Sequence, residues 1–174
     1  MNRKKGFTLL LAALVASIAV TLGSSIYSIV SKELKLSSIG QDSQFAFYAA
    51  DTVAECALFW DSRSDLHPSS FATSTASQGS VSSITCDGPN NAPVTIAAAS
   101  ANSATSTIGP SGGSIGFDIF NDHPGGYCAN ATISKTLVAN GTEQTVIVAN
   151  GFNVSCSAIG SAPDALERTV ELKY

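Results

Sequence analysis

Charge is what the first third of this chain lacks. From Phe7 to Val30 no residue is ionisable as an acid or base of the Asp, Glu, Lys, Arg or His type, and no proline occurs before Pro68. Glycine is scarce there too, with Gly40 alone between Gly23 and Gly79. An uncharged run of 24 residues without proline excludes a solvated surface helix and a disordered linker. The chain also has little histidine, only His67 and His123, and no two cysteines stand at the two- to four-residue spacing of a metal knuckle. His67 precedes a proline, and His123 sits in the turn-like Asn121-Asp122-His123-Pro124-Gly125-Gly126. Neither belongs to a Ser/His/Asp or zinc pattern, so the expectation is a non-enzyme without metal or cofactor. Asp118, Asn121 and Asp122 could offer oxygens to calcium, but their spacing fits no EF-hand, and a turn held by Asn and Asp side chains accounts for them.

Basic residues are the next scarcity. Arg3, Lys4 and Lys5 stand together before Gly6, and only six further Lys and Arg follow, scattered among thirteen acids. Without the leader the chain is near −7, and no basic face remains to hold nucleic acid. The three leading cations do something else. An apolar helix of residues 7–30 would be roughly 36 Å long, enough for a bilayer core of about 30 Å. The positive-inside rule then leaves the N-terminus cytoplasmic and carries Lys32 onward outside.

Three readings of this segment compete: a secretory signal cut near Ala19 or Gly23, a plain single-pass anchor, and a processed assembly helix. A signal core usually runs about 7–15 residues, shorter than the run here. Arg3-Lys4-Lys5-Gly6-Phe7-Thr8-Leu9, a short basic leader ending in glycine and then Phe-Thr-Leu, resembles the class III leader of type IV pilins and type II secretion pseudopilins. The resemblance implies cleavage by the prepilin peptidase after Gly6 and N-methylation of Phe7. Most such pilins carry glutamate at the fifth mature residue, where this chain has Leu11. Minor pilins of the PilX type and tip pseudopilins of the GspK type dispense with that acid. The stretch Gln44–Leu58 is similar to the Ala-Phe-x-Ala-Ala-Glu-x-Ala-Leu run of PilX-type minor pilins: Ala46, Phe47, Ala49 and Ala50 match, and Asp51 replaces the glutamate. The likeness covers about the first 60 residues.

Residues 31–62 read as an amphipathic continuation of the helix. Ala46, Ala49, Val53, Ala57 and Trp60 recur every three to four positions, a stripe for a sheet to cover, and their small side chains permit close approach. Thr21, Gly23, Ser24 and Ser25 make a locally weak section, since glycine costs up to about 1 kcal/mol relative to alanine. In related pilins that section unwinds on filament entry. Residues 63–174 read as a β-rich extracytoplasmic head. Val81–Asp87, Pro93–Ala99, Ser114–Phe120, Tyr127–Val138, Glu143–Asn150, Phe152–Ala158 and Glu167–Tyr174 are strand-like. Asn140-Gly141 marks a hairpin, and Ser100–Thr107 reads as a polar loop. The expectation is an α+β, pilin-like architecture: one long helix on an antiparallel sheet of about four to six strands.

Cys56, Cys86, Cys128 and Cys156 are spaced 30, 42 and 28 apart. An even count on an exported chain reads as two disulfides, with three connectivities possible. Cys56–Cys86 and Cys128–Cys156 are favoured because each joins near neighbours in sequence. Each closed loop would contribute roughly 3–4 kcal/mol in the chain-entropy model. The sequons at Asn130, Asn140 and Asn153 have no role in a bacterial setting.

The functional expectation is a minor, tip-associated type IV pilin or pseudopilin that takes part in assembly or adhesion. Its partners would be membrane lipid before assembly, other pilin or pseudopilin subunits, and the prepilin peptidase. It would pass from the membrane to a cell-surface pilus or a periplasmic pseudopilus. The alternative is a single-pass, membrane-anchored extracellular binding module that keeps its N-terminus. A secreted hydrolase is disfavoured by the missing catalytic constellation.

Overall fold

The computed structural model describes residues 5–63, 71–73, 83–87, 90–100, 102–109, 116–119 and 126–174. One helix, α1 (Lys5–Ser62), is followed by seven strands: β1 (Ser83–Asp87), β2 (Asn90–Ser100), β3 (Ser103–Ile108), β4 (Phe117–Ile119), β5 (Tyr127–Leu137), β6 (Glu143–Phe152) and β7 (Glu167–Lys173). The chain divides into two units, residues 1–41 and 42–174. The first is helix alone. The second holds the end of α1 and the whole sheet, whose strands run β1-β2-β3-β5-β6-β7 with every pair antiparallel, and β4 beside β5.

The sheet's inner layer is built from small and branched residues. Ala104, Ser106 and Ile108 of β3, Ala129, Ala131 and Ile133 of β5, and Ile147 and Ala149 of β6 are all buried. They follow the alternation that a one-sided antiparallel sheet imposes. Facing them on α1 are Ala46, Ala49, Ala50, Val53, Ala54 and Ala57, each without exposed surface. The predicted stripe is therefore the covered face, with Trp60 partly buried at its end. The approach is tightest at Gly151 on β6, where a side-chain Cβ would run into the backbone oxygen of Ala46 and the backbone nitrogen of Ala50. Only a residue without Cβ lets strand and helix meet there.

Three expectations are corrected. Ser103–Ile108 is a strand, not part of a polar loop. Its inward positions are small, but β2 and β5 bond it on both sides, and the buried Ser106 hydroxyl accepts the Ala72 amide at 3.1 Å. Phe152–Ala158 is not a strand: β6 absorbs Phe152, and Asn153 then takes over the backbone bonds. Its side-chain Nδ2 donates to Asp164 O at 3.1 Å and its Oδ1 accepts from Leu166 N at 2.7 Å, an Asn-held turn in place of a ladder. Among the described residues the strands number seven rather than four to six, and β2 begins at Asn90, ahead of the expected start at Pro93. Asn140-Gly141 does close the β5–β6 hairpin, with Gly141 N donating to Val138 O and Gly141 at a φ of 82°. Asn121, Asp122, His67 and His123 lie outside the described residues.

Candidate membrane and assembly helix

Each described side chain from Phe7 to Gln41 is exposed. Phe7 is 70 % exposed and Leu11 54 %, and Leu9, Leu10, Leu14, Val15, Ile18, Val20, Leu22, Ile26, Ile29 and Val30 are likewise uncovered. The apolar residues surround the axis rather than forming one stripe, as in a helix meant to be enclosed on all sides. Burying each such side chain is worth about 1.5–3 kcal/mol, so water is the wrong solvent for this element. It is the one helix among the described residues long and apolar enough to span a membrane.

Several of its hydroxyls are satisfied from within. The Ser17 hydroxyl donates to Leu14 O at 2.8 Å, Thr21 to Ile18 O at 2.8 Å, Ser24 to Thr21 O at 3.0 Å and Ser31 to Tyr27 O at 2.8 Å. A hydroxyl bonded to its own helix enters hydrocarbon without an orphaned donor. Gly6 and Phe7 lie at the described start of α1. At Gly23 the helix continues, and no other group lies within 4 Å of where a Cβ would be.

In the second unit, two disulfides fasten the helix end and the last loop to the sheet. Cys56 on α1 joins Cys86 on β1, and Cys128 on β5 joins Cys156 beyond β6. These are the two pairings that sequence proximity favours. Trp60 Nε1 donates to Thr85 O at 3.2 Å beside the first. At the second, Asp118 Oδ1 accepts from Cys156 N at 2.7 Å. Asp118, Cys128 and Cys156 bring three potential metal-ligand atoms within 4.8 Å of one another. Both sulfurs are consumed in the disulfide, however, and thiolate is the form that binds metal.

One polar cluster escaped sequence reasoning. Lys135, in an inward position of β5, puts Nζ 2.6 Å from Asp61 Oδ1 and 3.7 Å from Glu143 Oε1. Tyr174 donates its hydroxyl to Asp61 Oδ2 at 2.6 Å. The side chains of Lys135 and Asp61 are only 10 % and 6 % exposed. Burial, and then the Asp61 carboxylate, push the Tyr174 phenol well above its ordinary range. The available signal was parity: Lys135 occupies the same face of β5 as Ala129, Ala131 and Ile133, so a charge there must find a partner. Lys135 Nζ, both Asp61 oxygens and the Tyr174 hydroxyl each face another polar atom of the cluster, which ties the end of α1 to the sheet.

No protein family profile, no curated protein and no solved structure matches this chain.

Proposed function

We propose that this chain is a minor pilin or pseudopilin, a subunit whose apolar helix waits in the membrane and then joins the helical core of a filament. The observation that carries the reading is the charge-free segment Phe7–Val30, uncovered on every side, directly behind Arg3-Lys4-Lys5-Gly6. Such a helix needs two successive surroundings of equal apolarity, lipid and then other helices, and transfer between them is inexpensive because neither contains water. The basic leader holds the N-terminus on the cytoplasmic side until the prepilin peptidase cuts after Gly6 and Phe7 is methylated. The head is then extracytoplasmic, a setting in which both disulfides are stable. Leu11 removes the acid that would pair with a neighbouring subunit's amine, which suits a tip position with no subunit beyond it. Gly23, with its neighbouring hydroxyl residues, is the place for the helix to unwind on assembly.

Mass analysis of the N-terminus of the membrane-extracted protein tests this. A chain starting at methylated Phe7 supports the pilin reading. A retained Met1 makes it the anchored binding module instead, and a start near Ser24 makes the segment a secretory signal.

A further inference from the structure

The sheet ends at β7, and no strand lies beyond it among the described residues. Tyr174 exchanges both backbone hydrogen bonds with Thr145, at 2.9 and 3.1 Å, so its N–H and C=O point toward β6. Alternation along an antiparallel strand then directs the backbone groups of Arg168, Val170 and Leu172 toward β6 as well. Those of Glu167, Thr169, Glu171 and Lys173 point out of the sheet. The same four residues carry exposed side chains on the face away from α1.

An edge of this kind can accept a second antiparallel strand, and charge decides which. For two copies of β7 related by a two-fold axis, only registers that place these outward residues opposite one another form hydrogen bonds. Centred on Thr169, the pairing sets Glu167 against Glu171. Centred on Glu171, it sets that acid against itself. Centred on Val170, it sets Glu167 against Lys173 and Thr169 against Glu171, each pair occurring twice by symmetry. It uses the full strand and brings no like charges together. It also extends an existing polar row, in which Asn150 Nδ2 donates to Asn130 Oδ1 at 3.2 Å and the Thr169 hydroxyl donates to Asn150 Oδ1 at 2.8 Å.

We infer that β7 is a self-association edge, through which two copies of this chain pair their sheets antiparallel about Val170. The charges that guard the edge against other strands favour a second copy, and among the registers that use the full strand they favour this one. The inference does not depend on the processing of the helix or on filament entry, and because the two-fold axis is normal to the sheet it turns α1 end for end, so the paired copies are not neighbours in one membrane.

The full chain in detergent tests it with two exposed single-thiol variants, Thr169→Cys and Glu171→Cys, against a background in which the native cysteines are all paired. Opposed residues of this kind stand about 5.5 Å apart at Cα, within disulfide range. Under mild oxidation the mixture of the two variants should give a cross-linked dimer, and neither variant alone should. Cross-linking by either alone would overturn the register, and no cross-linking in the mixture would overturn the association. Independently, sedimentation of Lys173→Glu should show dimer affinity reduced by about tenfold, with the double variant Glu167→Lys/Lys173→Glu restored to near the parent. A double variant as weak as the single one would contradict the pairing.

Discussion

The two stretches of α1 differ in what they are made of and in what covers them. Residues 7–30 are rich in Leu, Ile and Val, and all are exposed. Residues 46–57 are rich in alanine, and Ala46, Ala49, Ala50, Val53, Ala54 and Ala57 are fully buried. Within one helix, then, the bulky side chains stand where the chain supplies no cover, and the small ones where a sheet does. Large residues suit contact with soft or exchangeable surroundings, since lipid tails and other helices adapt to their shape. Small residues suit a fixed partner, because they let two backbones approach and leave little side-chain entropy to lose. Fastening follows the same division. The head has two disulfides and the Asp61–Lys135–Tyr174 clamp, whereas in the exposed stretch the hydroxyls of Ser17, Thr21 and Ser24 bond to their own turn.

That contrast breaks most visibly in the head. Asp61→Ala leaves the Lys135 ammonium buried beside Glu143 alone and should destabilise the head by about 3–5 kcal/mol in urea unfolding monitored by Trp60 fluorescence. Removing the first disulfide with Cys56→Ser and Cys86→Ser together should cost roughly 3–4 kcal/mol in the same experiment. Gly151→Ala forces a methyl group into the backbone of Ala46 and Ala50 and should cost about 1–3 kcal/mol, with the helix held off the sheet. Tyr174 sharpens the comparison through pH. The folded head holds the phenol proton more tightly than the unfolded chain, so its stabilising share is complete below about pH 10 and is lost as pH rises further. Absorbance titration should show a tyrosine ionising well above the ordinary phenol range, and Tyr174→Phe should abolish that late step. Leu14→Ala, by contrast, should change head stability by less than about 0.5 kcal/mol, because its side chain is exposed.

The helix was legible in the sequence because its signals are local: an uncharged run, then an alanine stripe at helical spacing. The disulfide partners were close in sequence, and the Asn-Gly hairpin announced itself through one dipeptide. β3 was not legible. Ser103-Ala104-Thr105-Ser106-Thr107 has the composition of a loop, and it is a strand because β2 and β5 lie on either side of it. Phe152–Ala158 failed for the opposite reason, its apolar alternation being overruled by Asn153, whose side chain takes the backbone's partners. The clamp needed residues 61, 135, 143 and 174 to converge, and only the parity of Lys135 hinted at it. The candidate membrane helix was thus visible in outline, while the head that carries it was visible only in part.

A photo-crosslinking residue in place of Leu14, in the native host, tests the central claim most directly. The account predicts lipid adducts while the chain resides in the membrane, and adducts to the apolar helices of other subunits once filaments are sheared and collected. Lipid adducts alone, with the protein never recovered in the filament fraction, would contradict it.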